Sequence, residues 1–118
     1  MSEASQTESN GAVRVAAVDD VPPGETLLVS ADLLGTDDDV ALIRDDDGTY
    51  YALDDTCSHE EASLADGWVE GGAIECPLHA STFDLATGRP QCLPATRPVR
   101  THAVQTRNGE VWITPDRS

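Results

Sequence analysis

Short apolar runs alternate with polar turn residues along most of this chain. The runs are rich in branched apolar residues and are separated by Gly, Asp, Pro or Asn, which is typical of strands joined by tight turns. Residues with this pattern are 13–18, 26–30, 40–44, 49–53, 68–70, 73–75, 81–84, 99–105 and 111–114. No segment shows a convincing helical periodicity. The pattern therefore predicts an all-β protein, an antiparallel β-sandwich or a barrel.

Two turn sequences predict β-hairpins within this arrangement. Gly71-Gly72 separates two of the short runs, and Arg107-Asn108-Gly109 separates the last two. Gly and Asn tolerate the positive φ angles that tight hairpin turns require. We expect an antiparallel pair of strands around each turn.

The length of 118 residues, of which 39% are hydrophobic, predicts one domain with a modest core. Residues 1–12 are mostly polar, which predicts a disordered acidic tail, and residues 13–115 are expected to form the single domain. The start of the chain has neither the basic and apolar stretches of a signal peptide nor a twin-arginine signal. No apolar run is long enough to span a membrane. We therefore expect a cytoplasmic protein.

The chain is strongly acidic, with 22 Asp and Glu residues against seven basic residues, all of them Arg, and a net charge of −15. Such a surface repels nucleic acid and anionic membranes, and it favours partners with basic docking patches. An organism-wide enrichment in acidic residues explains the charge equally well. The acidic groups at residues 37–39 and 45–48 are expected to be solvated turns.

Two short segments carry the candidate chemistry: Cys57-Ser58-His59, and then Cys76-Pro77-Leu78-His79. Ligands two residues apart project to one face of an extended segment, whereas ligands three apart suit a tight turn around an ion. Two thiolates and two imidazoles fit a [2Fe–2S] cluster with Cys on one iron and His on the other, and they also fit zinc. Common zinc modules pair Cys with Cys and His with His, so the spacing favours iron and sulfur.

The motif C-x-H followed by C-x-x-H resembles that of the Rieske family. The similarity extends through residues 67–71 (GWVEG), 83–88 (FDLATG) and 94–99 (PATRPV), and covers about residues 13–115. These stretches resemble the small Rieske-type ferredoxins that serve aromatic-ring-hydroxylating dioxygenases. The resemblance implies the Rieske fold, in which antiparallel sheets stack and two loops clasp the cluster at one tip as a small subdomain.

The same resemblance implies the roles of the four ligands and of the chain. Cys57 and Cys76 would hold the inner iron, while His59 and His79 would hold the outer iron. The protein would then be an electron carrier rather than an enzyme. It would take single electrons from a flavin-dependent ferredoxin reductase and pass them to a terminal oxygenase through the cluster tip.

Departures from relatives in respiratory and photosynthetic complexes bear on the reduction potential. Those relatives have a disulfide where Ala62 and Leu78 stand here, and hydroxyl donors at two positions where this chain has Ser81 and Phe83. Phe83 has no hydroxyl, so we expect a potential toward the lower end of the Rieske range of roughly −150 to +300 mV. Because reduction adds negative charge, the potential should fall with pH once the ligand His residues lose protons.

The remaining His and Cys residues are given ordinary roles. Only three His residues exist, so a second iron site with two His is impossible once the cluster takes two. We expect His102 to be a surface or packed residue and Cys92 to be a buried or half-buried thiol without a function. The alternative for Cys92 is a position near the cluster, where the resemblance places a Pro-containing loop.

Residues near the two motifs are candidates for a docking rim around the cluster. They are Glu60, Glu61, Leu64, Leu78, Ala80 and Pro94. Apolar members would exclude water at contact, and the two Glu residues would steer basic partners; ordinary loop filling is the alternative for each.

Two other function classes stay open. One is the Rieske-like small subunit of an assimilatory nitrite reductase, some members of which lack cluster ligands. The other is a zinc-binding interaction module. The sequence contains no recognisable nucleophile–base pair, phosphate loop or substrate-binding motif. We therefore do not expect this chain to catalyse a reaction alone.

Overall fold

The computed structural model describes residues 11–36, 38–56, 63–76, 82–90 and 99–115. Within these ranges the chain forms nine strands and one short helix. They are β1 (Val13–Ala17), β2 (Thr26–Val29), α1 (Ala31–Leu34), β3 (Val40–Arg44), β4 (Tyr50–Asp54), β5 (Trp68–Glu70), β6 (Ala73–Glu75), β7 (Thr82–Asp84), β8 (Thr101–Arg107) and β9 (Glu110–Thr114). Short 3-10 turns cover Val18–Asp20 and Leu64–Asp66.

The strands form two antiparallel sheets. The larger sheet has six strands in the order β1-β9-β8-β4-β3-β2, and the smaller has three in the order β5-β6-β7. Strand β8 joins the two halves of the larger sheet: it pairs along its length with β9, but with β4 only at Ala52↔His102 and Leu53↔Thr101. This narrow junction lets the two halves fold toward each other.

Strand β3 lies between two hydrophobic cores, because it is buried on both faces. Val40 and Leu42 pack with residues of β1, β2 and β9 in a core formed between the halves of the larger sheet. Ala41 and Ile43 pack on the opposite side, against the small sheet. The alternation of a strand's side chains thus connects the two sheets through one central element.

All nine predicted strands are present, with shifts of one or two residues at some ends. The largest shift is at β8, which was expected over 99–105 and begins at Thr101. Its first predicted residue, Val99, instead donates its N–H to the carbonyl of Gly88 at 2.9 Å. The hairpin turn at Asn108 and Gly109 has φ angles of 52° and 79°, as predicted for a tight turn.

The short helix α1 was not predicted, since a single turn is too brief to show periodicity. The Ser30 hydroxyl accepts the N–H of Asp32 at its start, and Gly35 ends it with a φ of 72°. Among the described residues no helix has the length and apolar character needed to cross a membrane.

The expectation that the acidic groups are simply solvated turns was wrong for Asp45, and Asp38 and Asp39 make contacts beyond their own turn. Asp45 is buried and accepts the N–H of Gly72 at 3.1 Å, which ties the β3–β4 turn to the β5–β6 turn. Asp39 accepts the N–H of Ala31 at 2.9 Å, and Asp38 binds Thr56. Short carboxylates here satisfy backbone donors that would otherwise lack partners.

Candidate metal centre

Of the four predicted ligands, the structure describes Cys76. Its side chain lies directly after β6 and is 1% exposed. Cys57, His59 and His79 lie outside the described residues. Within the described parts of the chain, no three His, Cys, Asp or Glu side chains form a metal-binding group. The description of the site therefore concerns the elements that hold the ends of the ligand-bearing segments.

Residues 57–62 contain the predicted ligands Cys57 and His59, and we call them the first ligand-bearing segment; the residues that flank this segment lie side by side. Thr56 and Ser63 form an antiparallel bridge across its base. The N–H of Leu64 donates to the carbonyl of Asp55 at 2.7 Å, which extends the pairing by one step. A loop that carries Cys57 and His59 is thus closed by backbone hydrogen bonds.

The side chain of Asp55 reinforces the same closure. Its Oδ1 accepts the hydroxyl of Ser63 at 2.8 Å and the N–H of Ala65 at 2.9 Å. Burial raises the pKa of the Asp55 carboxyl, and the charges of Asp38 and Asp39 act in the same direction, while the two hydrogen bonds oppose the shift. Asp55 therefore contributes acceptors at a partly desolvated position, where losing them would leave buried donors unpaired.

Asp38 holds the entry to this segment from another element. Its Oδ2 accepts the N–H of Thr56 at 3.0 Å, and its Oδ1 accepts the Thr56 hydroxyl at 2.9 Å. Thr56 immediately precedes Cys57. The loop between α1 and β3 thereby sets where the first ligand-bearing segment leaves the sheet.

The second ligand-bearing segment starts with Cys76 and returns at β7. Strands β6 and β7 pair at Glu75↔Thr82 and Ile74↔Phe83, which places the two ends of the segment side by side. Gly67 packs against this hairpin so closely that a Cβ on it would lie 2.0 Å from the carbonyl oxygen of Glu75. The residue preceding Cys76 is thus held by a contact that only glycine permits.

A third segment, residues 91–98, leaves and rejoins the described structure beside β7 and the turn that follows it. Pro90 bridges Phe83 at its start. At its other end, Val99 binds Gly88, which has a φ of 74° and whose Cβ would lie 2.1 Å from the Val99 carbonyl oxygen. Cys92 and Pro94 belong to this segment and lie outside the described residues.

The bases of all three segments share one hydrophobic core. Leu64, Cys76, Phe83 and Val99 pack in the same buried cluster. This convergence fits a cofactor held between loops by two Cys and two His. Cys and neutral His are the donors of a Rieske-type cluster.

Leu64 is not part of a docking rim, because its side chain is fully buried in this cluster. The other rim candidates, Glu60, Glu61, Leu78, Ala80 and Pro94, lie outside the described residues. His102 was expected to be either a surface or a packed residue, and it is packed. Its Nε2 lies 2.8 Å from Asp54 Oδ1 between β4 and β8.

Sequence reasoning missed Asp38, Asp55 and Gly67. Each of them contacts a backbone group that is distant in sequence. In the local sequence these three residues look the same as an ordinary exposed Asp or an ordinary turn Gly. The only sequence signal was proximity, since Asp55 stands two residues before Cys57.

Comparison with known proteins identifies the family. A model of the Rieske [2Fe–2S] domain matches residues 11–103. The 3-phenylpropionate/cinnamic acid dioxygenase ferredoxin subunit of Escherichia coli K12 is 43% identical over 97 residues, which are 81% of this chain and 86% of that protein. Its counterpart in Photorhabdus laumondii is 47% identical over 77 residues, covering 64% of this chain and 72% of that protein.

Solved structures agree with the sequence comparison. The ferredoxin of carbazole 1,9a-dioxygenase from Nocardioides aromaticivorans IC177 has a TM-score of 0.78 and 38% identity, and the match covers 89% of this chain and 98% of that one. A complex of reduced oxygenase and oxidised ferredoxin in carbazole 1,9a-dioxygenase contains a chain with a TM-score of 0.80 and 35% identity, over 90% of this chain and 94% of that one. The chain described here belongs to the Rieske [2Fe–2S] family, whose members of this type are ferredoxins that carry electrons through one [2Fe–2S] cluster.

Proposed function

We propose that this protein relays single electrons from a flavin-dependent ferredoxin reductase to a ring-hydroxylating terminal oxygenase. The observation that carries the proposal is the convergence of three loop bases on the buried Cys76 side chain. Such a convergence would hold a cofactor between the three loops.

We assign the cluster to Cys57, His59, Cys76 and His79. The thiolates of Cys57 and Cys76 would hold one iron, and the imidazoles of His59 and His79 would hold the other. The cluster supplies one-electron exchange at a potential raised by neutral His ligands in place of anionic Cys. The described residues orient the loops: Asp38 and Asp55 hold the first, and the β6–β7 pairing holds the second.

The net charge of −15 supports partners that present basic surfaces. Oppositely charged surfaces accelerate encounter, and the acceleration weakens as salt screens the charges. A carrier must dock with two proteins in turn and leave each of them. We place residues 13–115 in one Rieske domain preceded by an acidic tail, and we place the protein in the cytoplasm, where cysteine ligands stay reduced.

The nitrite reductase alternative rests on fold alone. A putative NADH-dependent nitrite reductase small subunit from Mycobacterium tuberculosis has a TM-score of 0.75 but 21% identity over 91% of this chain and 96% of that one. The dioxygenase ferredoxins found by the sequence comparison and by the structural comparison all have a higher sequence identity to this chain than that subunit has. The zinc alternative is disfavoured by membership of the iron–sulfur family.

The test begins with electron paramagnetic resonance of the purified protein before and after dithionite, with iron and acid-labile sulfide assays. We expect a silent oxidised sample and, on reduction, a rhombic signal with an average g below 2. The reduced protein is then mixed without oxygen with the oxidised oxygenase of carbazole 1,9a-dioxygenase, and reoxidation of the cluster is followed by absorbance. Zinc in place of iron, or a stable complex with a nitrite reductase catalytic subunit, would overturn the proposal.

A further inference from the structure

Trp68 is the most exposed of the large hydrophobic side chains in the described structure. It is 59% exposed, compared with 50% for Leu28 and 47% for Leu33. Trp68 opens β5, an edge strand of the small sheet. An exposed Trp costs solvation free energy, and Trp is the residue most enriched among binding hot spots. Its position on the sheet that carries Cys76 therefore points to contact with another molecule.

Three carboxylates share the outer face of the small sheet with Trp68: Glu70, Glu75 and Asp84, the last of which lies opposite Ala73 in the β6–β7 register. Trp68 lies opposite Glu75 in the β5–β6 register, and Glu70 lies opposite Ala73. Directly paired residues project to the same face, and residues two apart on a strand do so as well. The intervening pair, Val69 and Ile74, faces the core. Trp68, Glu70, Glu75 and Asp84 thus form one surface, which we call the outer acidic face.

Within the described ranges, the outer acidic face has no cation of its own. Among the described residues, none of Glu70, Glu75 and Asp84 forms an ion pair, and no guanidinium lies over the Trp68 ring. Elsewhere in the described structure, an arginine guanidinium does lie over an aromatic ring. Arg44 lies 4.8 Å from the centre of the Tyr50 ring, and Arg107 lies 4.4 Å from that of the buried Trp112. A π-face flanked by carboxylates is the complement of an arginine or lysine side chain.

The outer acidic face is adjacent to the second ligand-bearing segment. Glu75 immediately precedes Cys76, and Trp68 is the cross-strand neighbour of Glu75. Paired Cα atoms are about 4.5–5.5 Å apart, and one further residue along a strand adds about 3.4 Å. Trp68 therefore lies within one strand spacing and one residue of the start of the second ligand-bearing segment.

We propose that the outer acidic face is a docking surface for an arginine- or lysine-bearing segment of the terminal oxygenase. A cation from the oxygenase stacks on Trp68 and pairs with Glu70 and Glu75. The surface extends the contact beyond the cluster loops and sets the orientation of the oxygenase. This inference rests on the proposed function for the identity of the partner, but the cation-binding chemistry stands on the described residues alone.

The first test measures the surface directly with a tetra-arginine peptide as the probe. The chain contains two Trp residues, so protein labelled with 5-fluorotryptophan gives two ¹⁹F resonances, which the variant Trp68→Phe assigns. We expect the Trp68 resonance to shift saturably and the Trp112 resonance to stay in place, because Trp112 is buried beneath its own Arg107. An unmoved Trp68 resonance overturns the proposal.

Matched charge variants separate a local effect from the overall charge. Glu70→Gln/Glu75→Gln should weaken peptide binding at least fivefold. Asp19→Asn/Glu25→Gln removes the same charge from exposed positions away from the small sheet and should change it less than twofold. Equal weakening by both pairs would mean that only net charge attracts the peptide, and would overturn the proposal.

The second test uses the oxygenase of carbazole 1,9a-dioxygenase and the anaerobic electron-transfer reaction described above. Trp68→Ala should raise the oxygenase concentration at half-maximal rate about tenfold. Leu28→Ala, which removes another exposed apolar side chain from β2, should leave that concentration within twofold. Neither variant should alter the paramagnetic spectrum of the cluster. Unchanged transfer by Trp68→Ala contradicts the docking role. Failure of the wild-type protein to reduce the oxygenase counts against the proposed function, and the peptide titration still decides the chemistry of the surface.

Discussion

Both carboxylate oxygens of Asp38 accept hydrogen bonds from Thr56, one from its backbone N–H at 3.0 Å and one from its hydroxyl at 2.9 Å. Thr56 precedes Cys57, so this pair fixes the point at which the first ligand-bearing segment begins. The contact joins two loops that are 18 residues apart. It is the most direct link between the acidic character of the chain and its proposed cluster site.

We predict that Asp38→Ala accelerates loss of the cluster. Removing both acceptors should cost about 1 kcal/mol in the free energy of unfolding, because the bonds are exposed to solvent. The larger effect should be local, since the first ligand-bearing segment loses its anchor. The measurement is the rate at which the visible absorbance of the oxidised cluster decays in the presence of an iron chelator.

Asp19→Ala is the control for Asp38→Ala, because Asp19 is an exposed acidic residue outside the loops. Asp38→Asn should fall between the two, since its amide oxygen still accepts one hydrogen bond. Equal decay rates for Asp38→Ala and the wild type would exclude Asp38 from positioning the segment.

We predict that Gly67→Ala disrupts the small sheet. The added Cβ would lie 2.0 Å from the carbonyl oxygen of Glu75, and a backbone oxygen cannot move away without shifting Cys76. We expect a loss of about 3 kcal/mol in unfolding free energy and a lowered iron content. Urea unfolding with iron analysis measures both.

Gly71→Ala supplies the comparison for Gly67→Ala on the same hairpin. Gly71 has a φ of 56°, and a Cβ there meets nothing within 4 Å. Its cost should be limited to the backbone conformation, about 1 kcal/mol. If the two variants are equally stable, the close approach at Glu75 is not what requires Gly67.

The strands could be predicted from sequence because branched apolar runs and turn residues are local signals. The runs 40–44, 68–70 and 73–75 match β3, β5 and β6 at both ends. The C-x-H and C-x-x-H spacing likewise indicated a Rieske family member, which the comparisons confirm. What the pattern could not supply was the partner of each polar side chain.

Asp38 and Leu64 illustrate that limit from opposite directions. Asp38 was expected only as part of a solvated turn, yet its carboxylate also binds Thr56 in another loop. Leu64 was expected at an exposed rim, yet it is fully buried. Both outcomes depend on which elements meet in space after folding. Sequence periodicity over a few residues carries no information about a contact 18 or more residues away.

We predict that His102→Leu loosens the junction between the halves of the larger sheet. The His102 side chain is fully buried, and its Nε2 lies 2.8 Å from Asp54 Oδ1. Strands β4 and β8 pair at only two positions in the described structure, so this side-chain bond supplements a short ladder. The unfolding free energy should fall by about 2 kcal/mol, as measured in urea.

Asp54→Asn should be nearly neutral by comparison, because an amide oxygen can accept the same hydrogen bond from the imidazole. A His102→Leu protein as stable as the wild type would show that packing, rather than the polar contact, holds the junction.

Finally, we predict that Phe83→Tyr raises the midpoint potential of the cluster. Phe83 packs in the same core as Cys76 and is fully buried, so an added hydroxyl would lie in a site without water. A donor directed at a cluster sulfur stabilises the extra negative charge of the reduced state. The measurement is a spectroelectrochemical titration of both proteins in the same buffer. Val111→Thr places a hydroxyl in the other core and should lower stability without moving the potential. A Phe83→Tyr protein with lower stability and an unaltered potential would mean that the new hydroxyl does not reach the cluster, and that the missing donor at Phe83 does not set the potential.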